Sequence, residues 1–305
     1  MPPLRNSTRC PVNKPREYPV TNGDLHIHAV AEGPRGATPL VLVHGYPDNH
    51  RVWDRVAADL SRDFLVIRYD VRGAGRSGKP GRTREYRLAL LAQDLRAVVD
   101  TLIPGRPFHL VAHDWGAIQS WESATAPELA SRLRSYTAIS GPCLDHVGYW
   151  LRERLGGAPG QGGTAQLLRQ LGRSWYVLLF QLPLLPELIW LAGLDRLWPA
   201  YLRRHEGIAD ARYRTSQKAD GRFGVKLYRA NVLPRLLRPR PRRANCPVQV
   251  IVPTQDAYVS PPLTDSLVRW TGKLTRQELD APHWAPLTHP EAVCRSVRAF
   301  VAAHP

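Results

Sequence analysis

The sequence is poor in cysteine. Its 305 residues include four cysteines, which are far apart: Cys10, Cys143, Cys246 and Cys294. The lack of a C-x-x-C pair argues against a disulfide framework and a cysteine-bound metal, and it suits a reducing compartment. We expect no secretory signal either, because no apolar run follows Arg5 and Arg9. We therefore expect a cytoplasmic protein without a bound metal.

The sequence also lacks an uninterrupted membrane span. Residues 175–194 are rich in apolar side chains, and a span needs roughly 20 residues of this kind. However, Pro183, Pro186 and Glu187 lie near the middle of the run, where a charge and helix breaks are costly in lipid. The run therefore predicts short apolar helices that cover a pocket.

Negative charge is scarce, and the formal net charge is +16. Residues 203–243 contain thirteen lysines and arginines against three acidic residues. No nucleic-acid motif accompanies this segment, and the nearby aromatic residues are not spaced as stacking platforms. We therefore expect a solvated arginine-rich face and no nucleic-acid partner. Weak peripheral attraction to an anionic membrane surface is the alternative.

Strand-like apolar runs alternate with helical patterns in the first half of the chain and again near its end. The strand-like runs cover residues 25–30, 39–43, 64–69, 108–112, 134–139, 248–252 and 274–279. Helical patterns cover residues 84–102 and 291–303. The alternation predicts an α/β fold with a mostly parallel central sheet and helices on both faces.

This alternation stops between residues 143 and 245. We therefore expect a core made of residues 1–142 and 246–305, interrupted by an inserted helical cap at 143–245. Near the end of the insertion, the proline- and arginine-rich tract 234–243 resembles a linker.

Residues 73–78 read GAGRSG and match the G-x-G-x-x-G pattern of dinucleotide sites. In such sites the third glycine lies in an opening helix. Here Lys79, Pro80 and Gly81 follow at once and block a helix. The glycines predict a tight loop, and we expect no nicotinamide or other cofactor.

Asp114 lies where an apolar run turns sharply into a helical segment, the corner that a serine occupies in the G-x-S-x-G nucleophile elbow. The missing serine argues against an esterase or lipase. Asp256 and His283 follow later strands, and ligands bind at the carboxyl edge of such sheets. We expect Asp114, Asp256 and His283 to act as nucleophile, acid and base, with Asp145 as the alternative acid.

Several motifs together resemble the α/β-hydrolase-fold epoxide hydrolases. They are HGYP at residues 44–47, RGAGRS at 72–77, HDWG at 113–116, and the late Asp256 and His283. The resemblance covers most of the chain and implies the α/β-hydrolase fold with its inserted cap. The chain also resembles the hydrolase half of bacterial hydrolase–dehydrogenase fusions, and we expect it to end before any second domain.

The resemblance implies further site residues. Tyr176 and Tyr228 match the paired lid tyrosines of that family. The backbone N–H groups of Tyr46 and Trp115 are expected to form an oxyanion hole, and Trp115 and Pro47 to contact the substrate. The leucine- and tryptophan-rich stretch 175–198 favours a hydrophobic epoxide.

An aspartate nucleophile suits an epoxide for a chemical reason. A serine would leave an ether, whereas a carboxylate leaves an ester that activated water can cleave. An unperturbed aspartate has a pKa of about 3.9 and needs no base to become a nucleophile. His283 is then free to activate water while Asp256 holds its tautomer.

Two other functions fit part of the pattern. A haloalkane dehalogenase also uses an aspartate nucleophile, but it commonly has an asparagine where Tyr46 stands and needs no paired phenols. A catalytically silent binding protein would keep the fold and the pocket, but the intact Asp114, Asp256 and His283 argue against it. The sequence makes no prediction of the oligomeric state.

Overall fold

The structure, a computed structural model, describes residues 14–156, 163–208 and 216–305. Cys10, Arg5 and Arg9 lie outside these ranges, as do residues 209–215 of the basic segment. The described cysteines are buried free thiols: Cys143, Cys246 and Cys294.

The centre of the described fold is an eight-stranded sheet. Its strands are β1 (Arg16–Asn22), β2 (Leu25–Glu32), β3 (Pro39–Val43), β4 (Leu65–Tyr69), β5 (Phe108–His113), β6 (Leu133–Ile139), β7 (Val248–Pro253) and β8 (Leu274–Leu279). They lie in the order β1-β2-β4-β3-β5-β6-β7-β8. The β1–β2 and β2–β4 pairs are antiparallel, and all other neighbours are parallel. The predicted α/β fold with a mostly parallel sheet is therefore confirmed.

The α-helices of the described residues alternate with the strands at both ends of the chain. They are α1 (Asp54–Leu60), α2 (Leu88–Leu102), α3 (Trp115–Ala124), α4 (Leu144–Leu155), α5 (Gly163–Arg173), α6 (Trp175–Gln181), α7 (Leu185–Ile189), α8 (Asp195–Glu206), α9 (Gln217–Leu237), α10 (Ala285–Thr288) and α11 (Pro290–Ala302). A π-helical turn at Trp190–Leu194 joins α7 to α8.

Helices cover both faces of the sheet because the strand side chains alternate. In β3, Val41 and Val43 join one buried cluster, together with residues of α2 and α3. Leu40 and Leu42 point the other way and join a second cluster, with residues of α1 and α11. Every residue of β3 is buried, so the strand reads as a continuous apolar run.

The helices α4 to α9 all lie between β6 and β7, and we call them the intervening helices. This is the part of the chain where the sequence predicted a cap. The cap boundaries at 143 and 245 remain a prediction. The linker predicted at 234–243 is wrong in its first part, because α9 continues through Pro234 to Leu237.

The helix predicted over residues 84–102 is interrupted in the structure. A 3-10 turn covers Thr83–Tyr86, and α2 begins only at Leu88. Arg87 between them has extended backbone angles, φ −63° and ψ 142°. Asn231 of α9 accepts a hydrogen bond from the Leu88 N–H at 2.9 Å, so a contact from a distant helix satisfies the first N–H of α2.

The short helices predicted for residues 175–194 are present. α6 ends at Gln181 before Pro183, and α7 has Pro186 in its first turn. No single described helix is long and apolar enough to cross a membrane. The helices Trp175–Gln181 and Leu185–Glu206 reach that length and composition only together, and they bend by 101° at their break.

The solvated arginine face predicted for residues 203–243 is wrong for three of its arginines. Arg229 pairs with Glu187, while Arg235 and Arg242 pair with Glu122, and all three guanidinium side chains are about 15% exposed. Arg235 and Arg242 also lie 3.4 Å from Asp145. These arginines therefore tie α9 and the segment after it to α3, α4 and α7.

Glycines allow the chain to pack closely around the corner between β5 and α3. A Cβ atom on Gly116 would lie 2.2 Å from the Val43 carbonyl oxygen, and one on Gly141 would lie 2.3 Å from the Asp114 carbonyl oxygen. Real Cβ atoms essentially never come this close to a backbone oxygen. The start of α3 therefore lies directly against the end of β3.

We expect Gly116→Ala to lower the free energy of unfolding by about 2–4 kcal/mol, because the added methyl group forces α3 away from β3. Gly272→Ala is the control, since nothing lies within 4 Å of its Cβ position, and it should change stability by less than about 1 kcal/mol. Urea unfolding measures both variants. Equal unfolding midpoints for Gly116→Ala and the wild type would show that the two elements are not in close contact.

Candidate active site

Asp114 occupies the corner between β5 and α3 with φ 52° and ψ −125°. A non-glycine residue rarely adopts such angles, and they cost on the order of 1–3 kcal/mol unless the surroundings enforce them. The Asp114 N–H donates a hydrogen bond of 2.9 Å to the Ile139 carbonyl at the end of β6. The predicted sharp turn is present, and it places the carboxylate at the carboxyl edge of the sheet.

The two oxygens of Asp114 have different neighbours. The Tyr46 N–H donates a hydrogen bond of 2.7 Å to Oδ1. Oδ2 lies 3.5 Å from Nε2 of His283. Gly45 makes the first contact possible, because a Cβ atom there would lie 2.2 Å from Oδ1.

His283 follows β8, and its Nδ1 lies 2.9 Å from Oδ2 of Asp256. Both side chains are buried, with 2% and 1% of the residue exposed. The other oxygen of Asp256 accepts the N–H groups of Tyr258 and Val259, at 2.8 and 2.9 Å. Asp256 is thus held on both sides and faces the imidazole.

Asp145, the alternative acid, lies elsewhere. Its Oδ1 accepts the Arg240 N–H at 2.9 Å, and the guanidinium groups of Arg235 and Arg242 lie 3.4 Å from its Oδ2. The carboxylate beside His283 is therefore that of Asp256.

The charges around His283 and its burial shift its pKa in opposite directions. Burial alone would lower the pKa of His283, but the charge of Asp256, with hydrogen bonds to Asp114 and Asp256, raises this pKa well above its ordinary value. Burial would raise the pKa of Asp256, but the charge and hydrogen bond of His283 lower it. The site thus stabilises an imidazolium between two carboxylates.

The other two histidines near the corner, His44 and His113, have local partners. His44 Nε2 accepts the Val71 N–H at 2.9 Å, and its Nδ1 lies 2.8 Å from the Gly45 carbonyl oxygen. His113 Nε2 lies 3.0 Å from the carbonyl oxygen of His283. Burial lowers the pKa of His44, and it lowers the pKa of His113 to about 4. Both imidazoles are therefore neutral near pH 7.

The predicted pair of tyrosines comes together beside the residue that follows Asp114. The rings of Tyr176 and Tyr228 have centroids 6.0 Å apart. The Tyr228 ring lies 4.7 Å from Trp115 and 5.3 Å from Tyr46. Trp115 is the first residue of α3, so its N–H is among those without a partner inside the helix.

Both phenols are protonated at neutral pH. Burial, together with the charge of Asp114, raises the pKa of Tyr176 well above its ordinary value. Burial, Tyr176 and Asp114 do the same to the pKa of Tyr228. Each hydroxyl group is therefore available as a hydrogen-bond donor near the carboxylate.

Pro47 and Trp115 line a small pocket, and their contact with substrate remains a prediction. Tyr46 and Asp220 line it as well. Asp220 accepts the Gly75 N–H at 2.8 Å and the Asn49 side-chain amide at 3.3 Å. Burial raises the pKa of Asp220 to about 7.

Sequence reasoning missed several residues around this cavity. The Trp190 indole donates a hydrogen bond of 2.8 Å to the Tyr46 hydroxyl. Cβ atoms on Gly221 and Gly224 of α9 would lie 2.2 Å from Trp190 and 2.4 Å from Tyr46. Two glycines three apart in a helix expose a small face, and this spacing is the signal that could have indicated the contact.

Tyr258 is a further aromatic residue that the sequence did not single out. Its ring lies 4.8 Å from His283 and 5.8 Å from Tyr176. Its hydroxyl is hydrogen-bonded to that of Tyr201 in α8, at 2.7 Å. Its position two residues after Asp256 is the available sequence signal.

One group of described residues has the composition of a metal site. Potential ligand atoms of His28, His50 and Asp70 lie within 4.8 Å of one another. Asp70 already accepts hydrogen bonds from the N–H and Nδ1 of His50 at 2.9 and 2.7 Å, and from the Arg76 N–H at 2.8 Å. The carboxylate thus has protein partners, and the expectation of a protein without metal remains a prediction.

Comparison with known proteins identifies the protein family. The sequence profile of the alpha/beta hydrolase fold matches residues 38–290, and the chain belongs to this family. An epoxide hydrolase from Bacillus megaterium, solved with its product, superimposes with a TM-score of 0.77 at 22% identity, covering 93% of this chain and 100% of that chain. The fold predicted from the motifs is thereby confirmed.

Two named proteins are similar in sequence to most of this chain. The "Probable oxidoreductase EphD" of Mycobacterium tuberculosis is 34% identical over 90% of this chain, which spans only 48% of that protein. Epoxide hydrolase 3 of Mus musculus is 28% identical over 93% of this chain and 76% of its own length. The resemblance to epoxide hydrolases inferred from the motifs is therefore confirmed as a similarity.

Asp220 is expected to make stability depend on pH. Its pKa is raised to about 7 in the fold from an ordinary 3.8, so folding favours its protonated form. The contribution is full below pH 4 and is lost as the pH rises through 7, on the order of 1.4 kcal/mol for each pH unit between the folded and unfolded pKa. Asp220→Asn should therefore gain stability relative to the wild type between pH 4 and pH 8.

Urea unfolding at several pH values measures this difference. Asp24→Asn, in the exposed turn between β1 and β2, controls for the removal of a carboxylate. A constant difference between Asp220→Asn and the wild type across this range would contradict the raised pKa.

Proposed function

We propose that this protein hydrolyses a hydrophobic epoxide to a vicinal diol through an aspartyl ester on Asp114. The observation that carries the proposal is the position of one carboxylate. Oδ1 of Asp114 meets the Tyr46 N–H at 2.7 Å, and Oδ2 faces His283 at 3.5 Å. Relatives named as epoxide hydrolases support the substrate class.

In the first step, Oδ2 of Asp114 attacks an epoxide carbon. A carbon–oxygen bond forms to the carboxylate as the ring carbon–oxygen bond breaks, and negative charge develops on the released oxygen. The hydroxyl groups of Tyr176 and Tyr228 donate hydrogen bonds to that oxygen, and one of them supplies the proton. Their raised pKa values keep them protonated until the charge appears.

In the second step, water attacks the ester carbon of Asp114. His283 takes the proton from water at Nε2, while Asp256 at 2.9 Å holds the proton on Nδ1 and stabilises the imidazolium. The resulting oxyanion at Oδ1 is bound by the N–H groups of Tyr46 and Trp115. The bond between the ester carbon and Oδ2 then breaks, and the proton on His283 passes to Oδ2, which leaves as a hydroxyl group of the diol. The new carboxyl group of Asp114 loses its proton, which restores the phenol that donated one in the first step.

Esterification also prepares His283 for this second step. In the free protein the charge of Asp114 helps to raise the pKa of His283. Once Asp114 is an ester its charge is gone, and the imidazole holds its proton less tightly. More of the histidine is then neutral at the stage when it acts as a base.

We also propose that residues 143–245 form the lid over this site. Tyr176 and Tyr228 lie on α6 and α9, two of the intervening helices, while Asp114, Asp256 and His283 follow strands of the sheet. Phe180 of α6, centred 4.8 Å from Tyr228, adds apolar surface, which favours a hydrophobic substrate. The proposal covers only the residues of this chain and makes no claim about the remaining length of its longer relatives.

His283→Gln is expected to trap the covalent intermediate, because the first step needs no base whereas ester hydrolysis does. After incubation with an accepted epoxide, the intact mass should rise by the mass of one substrate molecule, and a peptide containing Asp114 should carry it. Asp114→Asn is the control and should gain no mass.

A panel of epoxides and haloalkanes separates this proposal from its alternatives. Diol formation, with solvent oxygen incorporated into Asp114 over many turnovers, is the expected result. Halide release without diol formation would instead identify a dehalogenase. Tight binding without turnover of either class would identify a binding protein.

Replacing either tyrosine of the pair should slow epoxide opening. We expect Tyr176→Phe and Tyr228→Phe each to lower kcat/KM by roughly 10- to 100-fold, because one donor to the developing alkoxide is lost. The double variant should lose at least about 1000-fold. Tyr149→Phe, whose hydroxyl contacts Pro239 at 3.3 Å, is the matched control. Wild-type activity in the double variant would contradict the role of the phenols.

A further inference from the structure

Large apolar side chains are exposed on four consecutive intervening helices, α5 to α8, counting Leu184 at the N-cap of α7. Six of them are at least 56% exposed: Leu168, Trp175, Leu178, Leu184, Leu188 and Leu197. Folded monomeric proteins rarely expose contiguous apolar patches of more than a few hundred Å². We call the exposed apolar residues of α5–α8 the leucine surface.

The exposed residues follow the helical repeat. Leu168 and Leu171 are three apart in α5, and Trp175 and Leu178 are three apart in α6, so each pair lies on one side of its helix. Neighbouring residues of the same helices point inward, since Leu167 is buried and Tyr176 packs against the core. These two helices therefore carry apolar side chains on two sides, one against the core and one toward solvent.

The exposed charges of helices α5–α8 have one sign. Within the described residues 163–206, the exposed charged side chains are Arg169, Arg196, Arg203 and Arg204. The acidic residues there are withdrawn, since Glu187 lies in an internal ion pair and Glu206 is 3% exposed. Asp195 is half-buried and lies 3.9 Å from Lys218. Arginines around an apolar surface complement anionic lipid headgroups.

The bend between the helices favours a position along a bilayer. The pair Trp175–Gln181 and Leu185–Glu206 has the length and composition of a span, but its two parts meet at 101°. A straight crossing is therefore not available to them. Trp175, which is 64% exposed, has the amphipathic ring that is enriched at the level of lipid headgroups.

We propose that α5–α8 dock this protein on the surface of an anionic lipid bilayer. The leucine surface enters the boundary between headgroups and acyl chains, and Arg169, Arg196, Arg203 and Arg204 contact lipid phosphates. This differs from attraction through the whole 203–243 segment, since Arg229, Arg235 and Arg242 are engaged in internal ion pairs. The inference does not rest on the proposed enzymatic function.

Vesicle flotation tests the docking. The full chain is mixed with vesicles of phosphatidylcholine alone or with about one-third phosphatidylglycerol. We expect the protein to float with the anionic vesicles only, and high salt to weaken the binding. Leu178→Asp and Leu197→Asp, each at a site 67% exposed, should each lower the partition coefficient by roughly tenfold or more.

The matched control is Val268→Asp, which adds the same charge at a site 72% exposed in the segment between β7 and β8. It should bind vesicles as the wild type does. Because all three sites are exposed, we expect all three variants to fold. Circular dichroism melts check this. Absence of wild-type binding to anionic vesicles at low salt would overturn the proposal.

Light scattering without lipid tests whether a second copy of this chain covers the leucine surface instead. A wild-type dimer that becomes a monomer in Leu178→Asp would assign the leucine surface to a second copy of this chain and would overturn the proposal. A monomer in both cases, with vesicle binding lost only in the variants of the leucine surface, supports lipid docking.

Discussion

The close approach of three chain segments to the corner at Asp114 is the constraint on which the site depends. Gly45, Gly116 and Gly141 have no side chain to keep the segments apart, and any Cβ atom there would lie within 2.3 Å of a neighbouring atom. The packing holds Asp114 at φ 52°, which an isolated aspartate rarely adopts. It also brings the Tyr46 N–H within 2.7 Å of the carboxylate.

The electrostatics of the site follow from this geometry. Because Asp114 is held at the sheet edge, His283 lies between it and Asp256, in a place too buried to be solvated as an ion. The two carboxylates replace the water that would otherwise stabilise an imidazolium. Under the proposed mechanism, one of these charges disappears when the ester forms, so the same residues serve both steps without rearrangement.

The intervening helices show why a count of charges does not describe a surface. Arg229, Arg235 and Arg242 belong to the most basic stretch of the sequence, yet each is mostly buried against a glutamate or aspartate of another helix. Outside that stretch, the exposed Arg169 and Arg196 are the sequence neighbours of Leu168 and Leu197, which are exposed although composition alone would assign them to a core. Which charges remain free is decided by contacts between residues far apart in the chain, such as Arg235 with Glu122.

The sequence by itself determined the alternation of strands and helices, the corner at Asp114, and the order of Asp114, Asp256 and His283. These depend on local apolar periodicity and on turn residues, which act over a few positions. Only the tertiary structure decided that Asp256 and not Asp145 faces His283, that Trp190 and Gly224 support Tyr46, and that α2 begins after an extended Arg87. Each of these is a contact between distant segments, whose free energy arises only when the sheet and the helices have packed together.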